Sequence, residues 1–146
     1  SVDTALFPAR SWGRIQKEGS VEHEGKTCAA EMVLGEPRKG LSVAYCTDSR
    51  RVDRIMQFVK GVQLFICEGM YGEDDKKQKA REKKHMLFSE AAQMAKNAKV
   101  EKLWLTHFSP SLNEPEECLP VAQAIFAETE LGEDRKTITI EFPKEG

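Results

Sequence analysis

The chain has 146 residues, with 22 Lys plus Arg against 24 Asp plus Glu and a formal net charge of -2. Its length and 40% apolar content suit one buried core of ordinary domain size. The near-cancelling charge excludes a long basic tail that grips nucleic acid by charge alone, and no apolar run is long enough to span a bilayer, which takes about 18 residues.

The first eight residues lack a basic stretch and an apolar stretch, so they do not read as a signal peptide. The chain does not begin with Met, and a cut or processed piece of a longer protein is expected. Four cysteines stand at 28, 46, 67 and 118, none spaced as C-x-x-C. Cys46 and Cys67 lie inside apolar runs, where free thiols behave as small hydrophobes. A reduced, intracellular and cytoplasmic protein is expected from so low a cysteine density.

In chain order, residues 1–40 are turn-rich, punctuated by Pro8, Gly13, Gly19, Gly25, Gly35, Pro37 and Gly40. Short strands are predicted at 13–17 and 21–24, the second closing on a Glu24-Gly25 turn, and 29–34 reads as a helical turn or an extended piece. Residues 41–46 (LSVAYC) form a buried strand candidate. Val52, Ile55, Met56 and Val59 recur at helical spacing, predicting an amphipathic helix over 51–60 ended by Gly61. Residues 62–67 (VQLFIC) read as the next strand, and 73–84 as a charged helix or loop. Ser89 is the expected N-cap of a helix carrying Ala91, Met94, Ala95 and Ala98 on one face. Residues 102–106 (KLWLT) read as a third strand. Pro115 opens a helix to about residue 128, which Pro120 starts or kinks, and 137–142 (TITIEF) reads as a last strand. Alternation of this kind predicts an α/β fold, βαβαβαβ, with a mixed, largely parallel sheet covered by helices. The organisation expected is a single partial domain, a turn-rich strand region over 1–40 followed by a βα half over 41–142.

In open α/β sheets ligands bind beyond the carboxyl ends of the strands. There the first strand delivers Asp48, the second Glu68 and the third His107, followed by Phe108 and Ser109. Aspartate and imidazole are good ligands for a divalent metal such as zinc, and Glu68 can orient an imidazole or share its proton. Each also has a plainer reading: Asp48 as a helix N-cap, His107 as a structural histidine, Glu68 as a turn carboxylate. His85 follows a basic run and is either a mobile general acid or an exposed loop histidine. His23 has no partner pattern. The run at 76–84 either contacts RNA phosphates or is a solvated face.

Residues 41–50 (LSVAYCTDSR), 62–71 (VQLFICEGMY), 85–98 (HMLFSEAAQMAKNA) and 102–110 (KLWLTHFSP) resemble successive motifs of ribonuclease Z, the tRNA 3′-processing endonucleases of the metallo-β-lactamase superfamily. Residues 13–19 (GRIQKEG) and 33–40 (VLGEPRKG) resemble the segment before them. The resemblance implies the carboxyl-terminal half of a metallo-β-lactamase fold. By the same resemblance Asp48 bridges two zinc ions, His107 is a zinc-binding imidazole, Glu68 pairs with His85, and His85 gives a proton to the leaving group. Ser109 is carried over as a substrate-binding residue. The family's His-x-His-x-Asp-His motif, a further zinc histidine and the tRNA-gripping arm do not occur here. Ser111 stands where the family often has Arg, and Ser49 where it has Thr. The implied function is zinc-dependent removal of 3′ trailers from precursor tRNA, with the chain alone binding zinc weakly and inactive. Self-association, or a need for the amino-terminal half, is expected, and no membrane partner. Alternatives are a phosphodiesterase for small cyclic phosphate or phosphonate esters, and a non-catalytic binding module. A signalling receiver domain is disfavoured, because the acidic pair and the Lys it needs are lacking.

Overall fold

The computed structural model describes residues 11–33, 40–49 and 53–142, with only the backbone of Trp12, Met32 and Val33. The expectations placed on Pro8, Gly35, Pro37, Arg50, Val52 and residues 34–39 lie outside them. Two compact units divide the chain at residues 39 and 40.

In the first unit, α1 (Trp12–Glu18) is followed by the strands β1 (Ser20–His23) and β2 (Lys26–Ala29) and the short α2 (Ala30–Val33). The strand predicted at 13–17 is instead helix. Ile15 is fully buried with Val21 and Cys28, and Arg14 pairs with Glu18 one turn on, 3.0 Å away, a spacing that only a helix brings together. Gly19 ends it in the left-handed region, φ 78°. β1 and β2 form an antiparallel hairpin. Its turn places Glu24 and Gly25 at φ 51° and 73°, the two positive angles a tight hairpin needs.

The second unit runs β3 (Val43–Cys46), α3 (Asp53–Phe58), β4 (Leu64–Glu68), a 3-10 turn (Asp74–Lys76), α4 (Lys77–Lys83), α5 (Phe88–Ala98), β5 (Lys102–Thr106), α6 (Pro115–Ile125) and β6 (Thr129–Leu131). The four strands pair in sequence order β3-β4-β5-β6, all parallel. Alternate residues of the strands, Ala44, Phe65, Cys67, Leu103 and Leu105, enter one core with Ala91, Ala92, Met94 and Ala95 of α5 and Ala122 of α6. The α/β architecture with a parallel sheet and helices is therefore as expected.

Two further expectations are corrected. The last strand is β6, and residues 137–142 adopt no regular structure. Thr129 and Leu131 are buried, whereas Ile138 and Phe142 remain 40% and 50% exposed. Alternation without a neighbouring strand to pair with makes no ladder. Ser89 is not the N-cap of α5: Leu87 is, Glu90 accepts the Leu87 N–H at 3.1 Å, and the Ser89 hydroxyl bonds Asp74 instead. Pro115 opens α6 as expected and Pro120 is carried inside it.

The other sheet face is partly open. Val43 and Tyr45 on β3 are 55% and 67% exposed. Trp104 is covered: its indole N–H donates to Glu130 at 3.2 Å, and the Lys136 ammonium lies 5.1 Å from its ring centre. No described helix is long and apolar enough to cross a membrane.

Candidate active site

The carboxyl ends of three adjacent parallel strands build the site. β3 leads to Asp48, β4 ends at Glu68, and β5 leads to His107. Because β3 pairs β4 and β4 pairs β5, the three side chains arrive at one edge. One ligand atom of each of Asp48, Glu68 and His107 lies within 4.8 Å of the others. His107 Nδ1 is 3.7 Å from Asp48 Oδ1 and 3.6 Å from Glu68 Oε2.

The backbone is turned to do this. Asp48 and His107 both sit at positive φ, 49° and 55°. Asp and His enter this region more readily than most residues, yet it costs energy. The strain redirects each side chain just past its strand.

Glu68 is fully buried, so its charge needs partners on both oxygens. The Ser49 N–H donates to Oε1 at 2.8 Å, and His85 Nδ1 lies 2.9 Å from Oε2. A carboxylate accepts, so the proton of that pair belongs on Nδ1, which fixes the ring's tautomer. His85 reaches the site because Lys84 turns left-handed after α4, φ 59°, and the His85 N–H closes on Ala80 O. The rings of His85 and His107 meet edge-on, with centres 6.2 Å apart.

The structure thus brings Asp48, Glu68, His85 and His107 together. Ser109 is engaged elsewhere by both polar groups: its N–H bonds Met70 O and its hydroxyl pairs with Ser111 at 2.8 Å. Sequence reasoning missed Tyr71, whose ring meets His85 edge-on at 6.5 Å, and the Ser49 amide. Tyr71 could have been noticed as an aromatic three residues past Glu68; a backbone amide leaves no mark in a sequence.

Cys46 and Cys67 are register partners beside the site. A hydrogen bond with Cys67, and a lesser one with Ser49, brings the Cys46 thiol down to about 6, while the same contact and burial push Cys67 up.

Carboxylate and imidazole at this separation suit zinc. Asp48 and His107 are exposed and would be the ligands, while Glu68 is already engaged by Ser49 and His85. The chain therefore offers two ligands where a catalytic zinc takes about three from protein, and it fits as part of a metal site.

The comparisons with known proteins bear on the family and the fold. A family model described as "Beta-lactamase superfamily domain" matches residues 1–108. Ribonuclease Z of Clostridium acetobutylicum is 52% identical over 135 residues, 92% of this chain and 44% of that protein. Ribonuclease Z of Lachnoclostridium phytofermentans is 50% identical, over 94% of this chain and 45% of that protein. This chain therefore spans under half the length of those relatives. Among solved structures, human tRNase Z, short form, superposes with a TM-score of 0.56 at 21% identity, over 86% of this chain and 49% of that one, and shows likeness of fold. The metallo-beta-lactamase fold protein YhfI from Bacillus subtilis gives 0.55 at 26% identity, over 62% of this chain and 36% of its own. A strand-end cluster of carboxylates and imidazole on a parallel sheet, a family model over most of the chain and relatives named ribonuclease Z at about half identity converge: the chain belongs to the beta-lactamase superfamily and resembles its ribonuclease Z members.

Proposed function

We propose that the chain is the carboxyl-terminal part of a zinc-dependent endoribonuclease that removes 3′ trailers from precursor tRNA by phosphodiester hydrolysis. The observation that carries this is the convergence of Asp48, Glu68 and His107 within 4.8 Å, with His85 held on Glu68 at 2.9 Å. The names of the relatives supply the substrate class.

Asp48 and His107 would hold the zinc. A bound ion of this kind supplies Lewis acidity toward a phosphate oxygen. Glu68 fixes the His85 ring by the 2.9 Å contact to Nδ1. His85 then carries the proton that the departing ribose oxygen needs, a contribution worth roughly a hundred- to ten-thousandfold in rate. Ser109 is proposed at the substrate edge, where Ser111 shares its hydroxyl. Alone, the chain binds zinc weakly and is inactive, because two ligands make an incomplete site. Residues 1–146 are proposed as a single partial domain of a cytoplasmic enzyme.

The exposed Val43 and Tyr45 give the open sheet face a reason to be covered, by a second copy or by the missing half of the enzyme.

The test joins this chain to the part of the Clostridium acetobutylicum relative that it does not span. With zinc, the chimera should cut precursor tRNA at the trailer, and Asp48→Asn or His85→Ala should each cost at least about a hundredfold in kcat/KM. A chimera that cleaves small diesters and leaves precursor tRNA intact would refute the tRNA assignment. One that cleaves tRNA equally well with Asp48→Asn would refute the metal role.

A further inference from the structure

Residues 76–84 hold Lys76, Lys77, Lys79, Arg81, Lys83 and Lys84 against one carboxylate, Glu82. That is net +5 in a chain whose total is -2, so everything outside the segment sums to -7. The cations occupy the end of the 3-10 turn, α4 and its cap. All six are exposed. The helix is anchored by Ala80, fully buried against Tyr71 and Leu87.

Little of this charge is neutralised. Lys76 pairs with Glu73 and Asp75, and Glu82 accepts a hydrogen bond from Gln78. The other five cations make no ion pair among the described residues. Like charges at helical neighbour spacing repel, and a polyanion laid along the helix relieves that repulsion.

The patch leads into the site. The Lys79 ammonium lies 5.5 Å over the Tyr71 ring, Tyr71 meets His85 at 6.5 Å, and His85 meets His107 at 6.2 Å. Lys83 shares the Lys79 face one turn on. Lysines are flexible point charges, suited to phosphate contacts that position a strand without reading bases.

We infer that α4 is a phosphate track for single-stranded RNA, holding the trailer beside the His85 edge of the site. This rests on the ribonuclease reading. The two can fail separately.

The test measures fluorescence anisotropy of a short labelled single-stranded RNA on the 146-residue chain, across potassium chloride from about 50 to 200 mM. Lys79→Gln with Lys83→Gln is compared with Lys60→Gln with Lys96→Gln, an equal charge change at exposed sites elsewhere. Glutamine is a good helix former at Lys79, Lys83 and Lys96, and Lys60 is an exposed turn residue, so neither pair should disturb the fold. Each lost phosphate contact flattens the log–log salt slope by about 0.7, so the first pair should lose about 1.4 and the second nothing. Equal changes in both pairs, or RNA binding with an unaltered slope in the first, would overturn the track while sparing the ribonuclease reading. No RNA binding by the parent chain would overturn the track, while the ribonuclease reading is decided by the chimera. Capture on phosphatidylserine vesicles that depends on Lys79 and Lys83, with RNA binding unaffected, would reassign the patch to a membrane surface.

Discussion

The Glu68 carboxylate is fully buried between the Ser49 amide and the His85 imidazole, at 2.8 and 2.9 Å. Truncation by Glu68→Ala leaves that amide without its acceptor in a closed space. A loss of about 1–3 kcal/mol is expected in urea unfolding, with Glu68→Gln milder because an acceptor oxygen remains. An alanine variant as stable as the parent would show that the buried pair is not formed. Glu130 makes the contrasting case. Its carboxyl is brought down to about 2 by the Lys102 hydrogen bond first and the Lys136 bond second. A depressed carboxyl adds stability that is fully present above its ordinary value of 4.5 and lost as pH falls through about 2. Its side chain is 38% exposed, so solvent screening limits the effect to under about 1 kcal/mol. Thermal melts should therefore find Glu130→Gln slightly less stable than the parent at pH 7, with the gap closing as pH is lowered from about 4.5 toward 2. A gap that widens on acidification would contradict the pairing.

At the scale of elements, the strand ends matter most. A Cβ on Gly69 would stand 2.8 Å from the buried Phe88 ring and 3.4 Å from Leu105. Gly69→Ala should cost about 1–3 kcal/mol by overpacking, read as a fall in melting temperature. An unchanged melting point would mean that α5 does not close on β4 this tightly. β3, β4 and β5 were legible as short apolar runs, β4 and β5 buried on consecutive residues, and α5 by apolar residues at helix period that bury one face. α1 was not: the one fully buried side chain among its described residues, Ile15, is too little to set a period, and the Arg14–Glu18 pair was the better sign. β6 was missed because only Thr129 and Leu131 turn inward, a pattern too short to stand out beside the stronger alternation at 137–142.

For the second unit as a whole, one sheet face is filled by helices and the other exposes Val43 and Tyr45. Sedimentation velocity should find self-association of the chain that Tyr45→Lys reduces; a strict monomer would contradict self-association and leave the proposed amino-terminal half as the cover. The site was legible in outline because a parallel sheet sends successive strand ends to one edge, so Asp48, Glu68 and His107 could be grouped before any coordinates. The turning of Asp48 and His107 through positive φ, and the role of the Ser49 amide, are backbone properties that residue types alone do not carry. The central claim is that Asp48 and His107 share a cation. Cobalt(II), a paramagnetic stand-in for zinc, tests it most directly when titrated into the chain and followed by NMR. The account predicts that Asp48, Ser49 and the His107 ring broaden first, and that Asp48→Asn abolishes this. Broadening centred on His23 with Glu22 and Glu24, or untouched by Asp48→Asn, would contradict it.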